Sequence, residues 1–140
     1  MQLVLGLIES TVFILLAALH FQWALGGTWG FEHSIPEKED GGKVMQPKKT
    51  DSAIVGVGLL LFAVYYLLKI GLFPAGLPQW FMNYGGWIVS GLFLLRAIGE
   101  FRYVGFFKKV KHTTFAQRDT KYYSPLCLVI GVTGILIEWL

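Results

Sequence analysis

The sequence predicts an all-α protein, a bundle of four transmembrane helices, and three observations predict it. Only 15% of the 140 residues are Asp, Glu, Lys or Arg, where soluble domains carry about 25%. Hydrophobic residues make up 54%, and the mean hydropathy is +0.55. The uncharged residues fall into four long runs, Ser10–Phe31, Ser52–Leu68, Ile70–Leu95 and Tyr122–Ile137, of 22, 17, 26 and 16 residues. A bilayer-spanning helix needs about 20 mostly apolar residues, within a range near 17–25. Sparse charge excludes a disordered chain, and the length of the runs excludes a water-soluble globule.

The first helix is expected over about residues 3–25. Met1-Gln2 supplies no basic leader, and the apolar stretch exceeds the roughly 7–15 residues of a signal peptide, so it reads as a retained span ended by Gly26-Gly27. Residues 26–50 carry Glu32, Glu37, Lys38, Glu39, Asp40, Lys43, Lys48 and Lys49 around Gly41-Gly42 and read as a flexible loop. Thr50, Asp51 and Ser52 are N-cap candidates for a second helix over residues 51–73. Pro74, Gly76 and Pro78 break the chain, and Trp80, Phe81, Tyr84 and Trp87 gather as rings do at the headgroup level. The third helix is expected over 84–103, a basic loop over 104–124, and a fourth helix over 125–140, with Ser124 as N-cap and Pro125 at the first helical position. The whole chain reads as a single membrane domain.

The first charged loop and the basic segment Phe101–Tyr123 hold ten of the twelve Lys and Arg residues; only Lys69 and Arg96 lie elsewhere. Short basic loops stay cytoplasmic. The expected topology is therefore multi-pass in the plasma (inner) membrane, with both loops inside and both termini outside. The net charge of +3 is read as this topology signal, with no nucleic-acid partner. Cys127 is the single cysteine, which excludes an intrachain disulfide and a cysteine metal cluster. Three histidines without ligand spacing give no metal site, and no nucleotide or other cofactor motif occurs.

Two stretches carry a family resemblance. His20-Phe21-Gln22-Trp23-Ala24-Leu25-Gly26-Gly27-Thr28-Trp29-Gly30 is one. The other runs from Phe93-Leu94-Leu95-Arg96-Ala97-Ile98-Gly99-Glu100-Phe101-Arg102-Tyr103 through Val104-Gly105-Phe106-Phe107-Lys108-Lys109, and continues in Thr114-Phe115-Ala116, Asp119-Thr120 and Tyr123-Ser124-Pro125-Leu126-Cys127. Together they resemble a family of uncharacterised small bacterial membrane proteins known as domain of unknown function 3995. The resemblance implies a four-span architecture and brings no established activity. The charged insert around Glu37–Lys49 departs from it.

Ionisable groups inside a bilayer cost at least about 2.5–3.5 kcal/mol each on insertion scales, so each is a functional candidate. Glu9, Phe13, Leu16 and His20 share one face of the first helix, which should point into the bundle. Arg96 and Glu100, four apart, read either as a structural ion pair along the third helix or as a cationic site for an anionic headgroup. His20 and Arg96 would converge near the cytoplasmic boundary, with Trp23, Trp29, Arg102, Tyr103 and Asp119 at the same level. Lys69 is expected to snorkel to the outer interface, Glu138 to be solvated, and Lys108, Lys109 and Lys111 to act as topology signals or to attract anionic lipid. Gly56 and Gly58, Ser90 and Gly91, and Gly131 and Gly134 offer small surfaces for helix packing.

The leading functional expectation is binding of a lipid or apolar metabolite by a pocket between the first and third helices and the two loops. Its candidate residues are His20, Trp23, Trp29, Arg96, Glu100, Arg102, Tyr103 and Asp119. The alternatives are proton- or cation-coupled transport through Glu9, in outline like the small multidrug exporters that work as dimers; an enzyme acting on an isoprenoid-like substrate; and an accessory subunit without ligand. Membrane lipid is the expected partner, and a homodimer is left open.

Overall fold

The computed structural model describes residues 1–74 and 76–140. Four helices in it are long and apolar enough to cross a membrane. Helix α1 spans Gln2–Ala24, α2 Lys49–Lys69 and α3 Gln79–Ile98. A short α4, Thr114–Arg118, runs through a π turn at Asp119–Tyr123 into α5, Ser124–Trp139, giving one helical rod over Thr114–Trp139.

The helix ends follow local chemistry. Gly26 takes φ +96°, Gly26 N–H donates to the Trp23 carbonyl and Gly27 N–H to the Gln22 carbonyl, which closes α1 as a Schellman cap. Gly71, at φ +79°, repeats the arrangement and stops α2 four residues before the expected Phe73. The Asp51 carboxylate accepts the Lys48 N–H at 2.8 Å, capping α2 from its third position. Helix α3 starts at Gln79, five residues before the expected Tyr84, and contains Gly85-Gly86. They are packing glycines: a Cβ on Gly85 would meet the Tyr65 ring, and one on Gly86 the Glu138 carboxylate. The rod begins where Thr113 Oγ1 accepts the Ala116 N–H, so the expected N-cap role of Ser124 passes to Thr113. Pro125, which has no N–H, follows the π turn that takes up the resulting register change.

Packing is pairwise. Helix α1 lies along α2, and α3 along α5, while the α2 and α3 backbones stay apart and meet through side chains, as where Tyr65 and Lys69 reach Gly86 and Met82. Phe13 joins the pairs: its ring stacks on Tyr66 at 5.9 Å and meets Phe62 and Phe93 at 5.6 and 5.3 Å. Gly131 and Gly134 let α5 approach Leu94 and Ser90 of α3, and Gly56 admits the Phe21 ring. Gly58 and Gly91, by contrast, face open space.

The two long connections meet at one end of the bundle, called here the cap end. Residues 26–48 are not a free loop. They form a 3-10 turn at Glu32–Ser34 and a bridge between Glu37 and Lys43. The Tyr123 hydroxyl donates to the His33 carbonyl at 3.0 Å, and the Phe115 N–H to Glu37 Oε1 at 3.0 Å, fastening this connection to the start of the rod. The opposite, distal end carries Lys69 and Glu138.

Candidate functional site

The cap end contains a buried cluster built by the long motif. Helix α3 stops at Ile98, five residues before the expected Tyr103, because the chain turns back on itself through Gly99 (φ +91°), Phe101 (φ +71°) and Gly105 (φ +90°). Phe106 N–H then donates to the Ala97 carbonyl at 2.8 Å. A Cβ on Gly99 would strike the Val104 carbonyl, and one on Gly105 the Ile98 carbonyl, so both positions require glycine. Glu100 lies inside this turn, where Oε1 accepts the N–H groups of Arg102 and Val104 at 3.0 Å and that of Tyr103.

The helical pairing of Arg96 with Glu100 is therefore not formed. Arg96 Nη2 instead donates to Asp119 Oδ1 at 2.8 Å. Asp119 is wholly buried and also accepts the Gly105 N–H at 2.7 Å, with Lys108 Nζ 3.3 Å from Oδ2. Lys108, expected as a surface topology signal, is buried and donates to the Gly105 carbonyl at 2.9 Å and to the Thr120 hydroxyl. Two cations thus share one carboxylate, which leaves the cluster with one net positive charge. Arg96 Nη1 is buried without a hydrogen-bond partner among the described residues.

Arg96 also closes one end of a groove of about 300 Å³ between α2 and α3, lined by Val55, Gly58, Leu59, Phe62, Leu92 and Phe93. The groove exists because α2 and α3 diverge and because Gly58 places no side chain there.

The other expected residues form a separate group. His20 Nδ1 donates to the Leu16 carbonyl at 2.7 Å, and its ring meets Trp23 at 4.7 Å. Trp23 Nε1 donates to the Trp29 carbonyl at 2.7 Å, while the Trp29 ring is exposed. Trp23, Phe31, Pro47, Lys48, Lys49 and Ser52 line a cleft of about 250 Å³ there. Arg102 stacks on Tyr103 at 5.0 Å at the surface. His20 and Trp23 are tied to α1 and the first connection, whereas the groove at Arg96 is walled by α2 and α3. Sequence reasoning missed Lys108 and the groove wall. The one available signal was Lys108 within the motif, an invitation to seek a buried partner for it.

At the distal end, Lys69 neither snorkels nor is Glu138 solvated. Lys69 Nζ lies 2.9 Å from Glu138 Oε2 and donates to the Met82 carbonyl at 2.6 Å. The Tyr65 hydroxyl donates toward Glu138 Oε1 at 3.3 Å and accepts the Gly86 N–H at 2.7 Å. No group of three or more His, Cys, Asp or Glu suited to a metal occurs among the described residues.

Four apolar helices in two antiparallel pairs, capped at one end by interlocked connections, define a helical bundle compatible with a multi-pass membrane protein. A family model described as Protein of unknown function (DUF3995) matches residues 13–133, and the chain belongs to that family. No curated protein and no solved structure matches it.

Proposed function

We propose that the protein binds an anionic amphiphile, a lipid or an apolar metabolite with one negatively charged head, in the groove between α2 and α3. The observation that carries this reading is Arg96 at the end of an apolar groove, with one guanidinium nitrogen buried and unpartnered and a net positive charge on its cluster. A buried guanidinium nitrogen without a hydrogen-bond partner is costly, and an anion suits a guanidinium held on one side by Asp119. The groove walls then hold the apolar body. In the membrane, the cap end would face the cytoplasm, where basic segments remain.

Native mass spectrometry of the protein from mild detergent tests the reading. A retained anionic lipid or metabolite is expected on the wild type, and Gly58→Leu, which fills the groove away from the ion cluster, is expected to remove it. Arg96→Gln should weaken retention as well. The same bound mass in Gly58→Leu as in wild type would refute the site.

A further inference from the structure

Between the two ion clusters lies a third polar group that the groove does not use. Glu9 is 2% exposed, with Oε1 lacking any hydrogen-bond partner among the described residues. The Tyr66 hydroxyl on α2 and the Ser90 hydroxyl on α3 are buried and unpartnered in the same way. Both converge on Gly134 of α5: a Cβ there would lie 2.8 Å from the Tyr66 oxygen and would overlap the Ser90 oxygen. Helices α2, α3 and α5 thus meet at one interior polar centre, and Glu9 of α1 lies one turn from the Phe13 ring that stacks on its Tyr66. The register of α1 is fixed beside it, since Ser10 Oγ donates to the Ala63 carbonyl of α2 at 3.1 Å.

Unpartnered polar groups in a bilayer core are expensive, and the usual reason for keeping them is an ion or proton path. The surroundings of Glu9 differ on its two sides. Toward the cap end, the rings of Phe13, Phe62 and Phe93 pack against one another and separate Glu9 from His20 and Arg96. Toward the distal end, the Tyr65 ring meets Tyr66 at 5.2 Å, and the Tyr65 hydroxyl reaches Glu138, which is paired with Lys69. Oxygen-bearing side chains thus lie on the distal side of Glu9, and packed aromatic rings on its cap side.

We infer that Glu9 is a proton-exchange site served from the distal end of the bundle through Tyr66, Ser90, Tyr65 and Glu138. A buried water takes about three hydrogen bonds from groups of this kind, and on this inference one such water would join the hydroxyls. Each oxygen accepts a proton and passes its own onward. The net change is one proton gained by the Glu9 carboxylate and one lost from water at the distal face, with only O–H bonds made and broken. The charged and titratable groups facing this path are Tyr65, Tyr66 and Lys69 of α2 and Glu138 of α5; α3 contributes only the Ser90 hydroxyl. Lys69 and Glu138 cancel each other's charge at the entrance.

Infrared difference spectroscopy of the whole chain in detergent micelles, after a rapid pH step, tests the inference. The wild type should show a carboxylic C=O band whose intensity follows pH, and Glu9→Gln should lack it. Glu9→Asp should move the band without removing it, which covers misfolding of Glu9→Gln. Tyr66→Phe combined with Ser90→Ala should slow the response about tenfold, equivalent to about 1.4 kcal/mol on the barrier. Absence of the band from wild type, its persistence unchanged in both Glu9 variants, or an undiminished rate in the double variant would overturn the proposal.

Discussion

Asp119 shows how much can rest on one side chain. Its two oxygens accept from Arg96 and from the Gly105 backbone and lie against Lys108, and both Asp119 and Lys108 are buried. Removing one partner from a buried ion cluster typically costs about 3–5 kcal/mol, because the remaining charge is left uncompensated. Asp119→Asn is expected to lower stability by that order in a detergent unfolding titration, whereas Asp40→Asn on the exposed first connection should leave it unchanged. The sequence marks Asp119 as part of a motif and Arg96 as an intramembrane cation. Their pairing was not legible, because it spans 23 residues and depends on a chain reversal that no local period announces.

The elements were legible in number and the ends only partly so. Four apolar runs gave four helices, and Gly26-Gly27 ended α1 as expected. Helix α3 begins directly after Pro78, and Gly85 and Gly86 lie inside it because Tyr65 and Glu138 occupy the space a side chain would need. Conversely, Gly99 does end a helix, and the hydrophobic pattern continues past it into a folded turn. Gly99→Ala is expected to destabilise by at least about 1–2 kcal/mol from the left-handed backbone alone, with the clash against Val104 added. Gly91→Ala, in open space on the same helix, should instead be neutral or stabilise by about 0.5–1 kcal/mol. Thermal unfolding of the two variants side by side checks the contrast.

At the scale of the molecule, the arrangement of helices was the least legible feature. Composition specifies four spans but not which of them adhere, and the groove exists because α2 and α3 part while the other neighbours close. The candidate site follows from that divergence, so the sequence could name Arg96 but not the helices that wall its groove. Orientation is a separate matter, and the charge distribution makes a definite prediction about it. In a Cys127→Ser background, Gln79→Cys should react with a membrane-impermeant maleimide on intact cells, and Asp40→Cys only after permeabilisation. The reverse pattern would invert the topology.

Both carboxylates that answer the buried cations, Asp119 and Glu138, belong to the rod Thr114–Trp139, while Lys69, Arg96 and Lys108 all precede it in the chain. Synthesis proceeds in that direction. While the chain is being made, Lys69, Arg96 and Lys108 lack their carboxylate partners until the rod has been added. Assembly is thereby given an order: the rod is the closing part, and a chain that ends before it keeps three cations without their carboxylate partners.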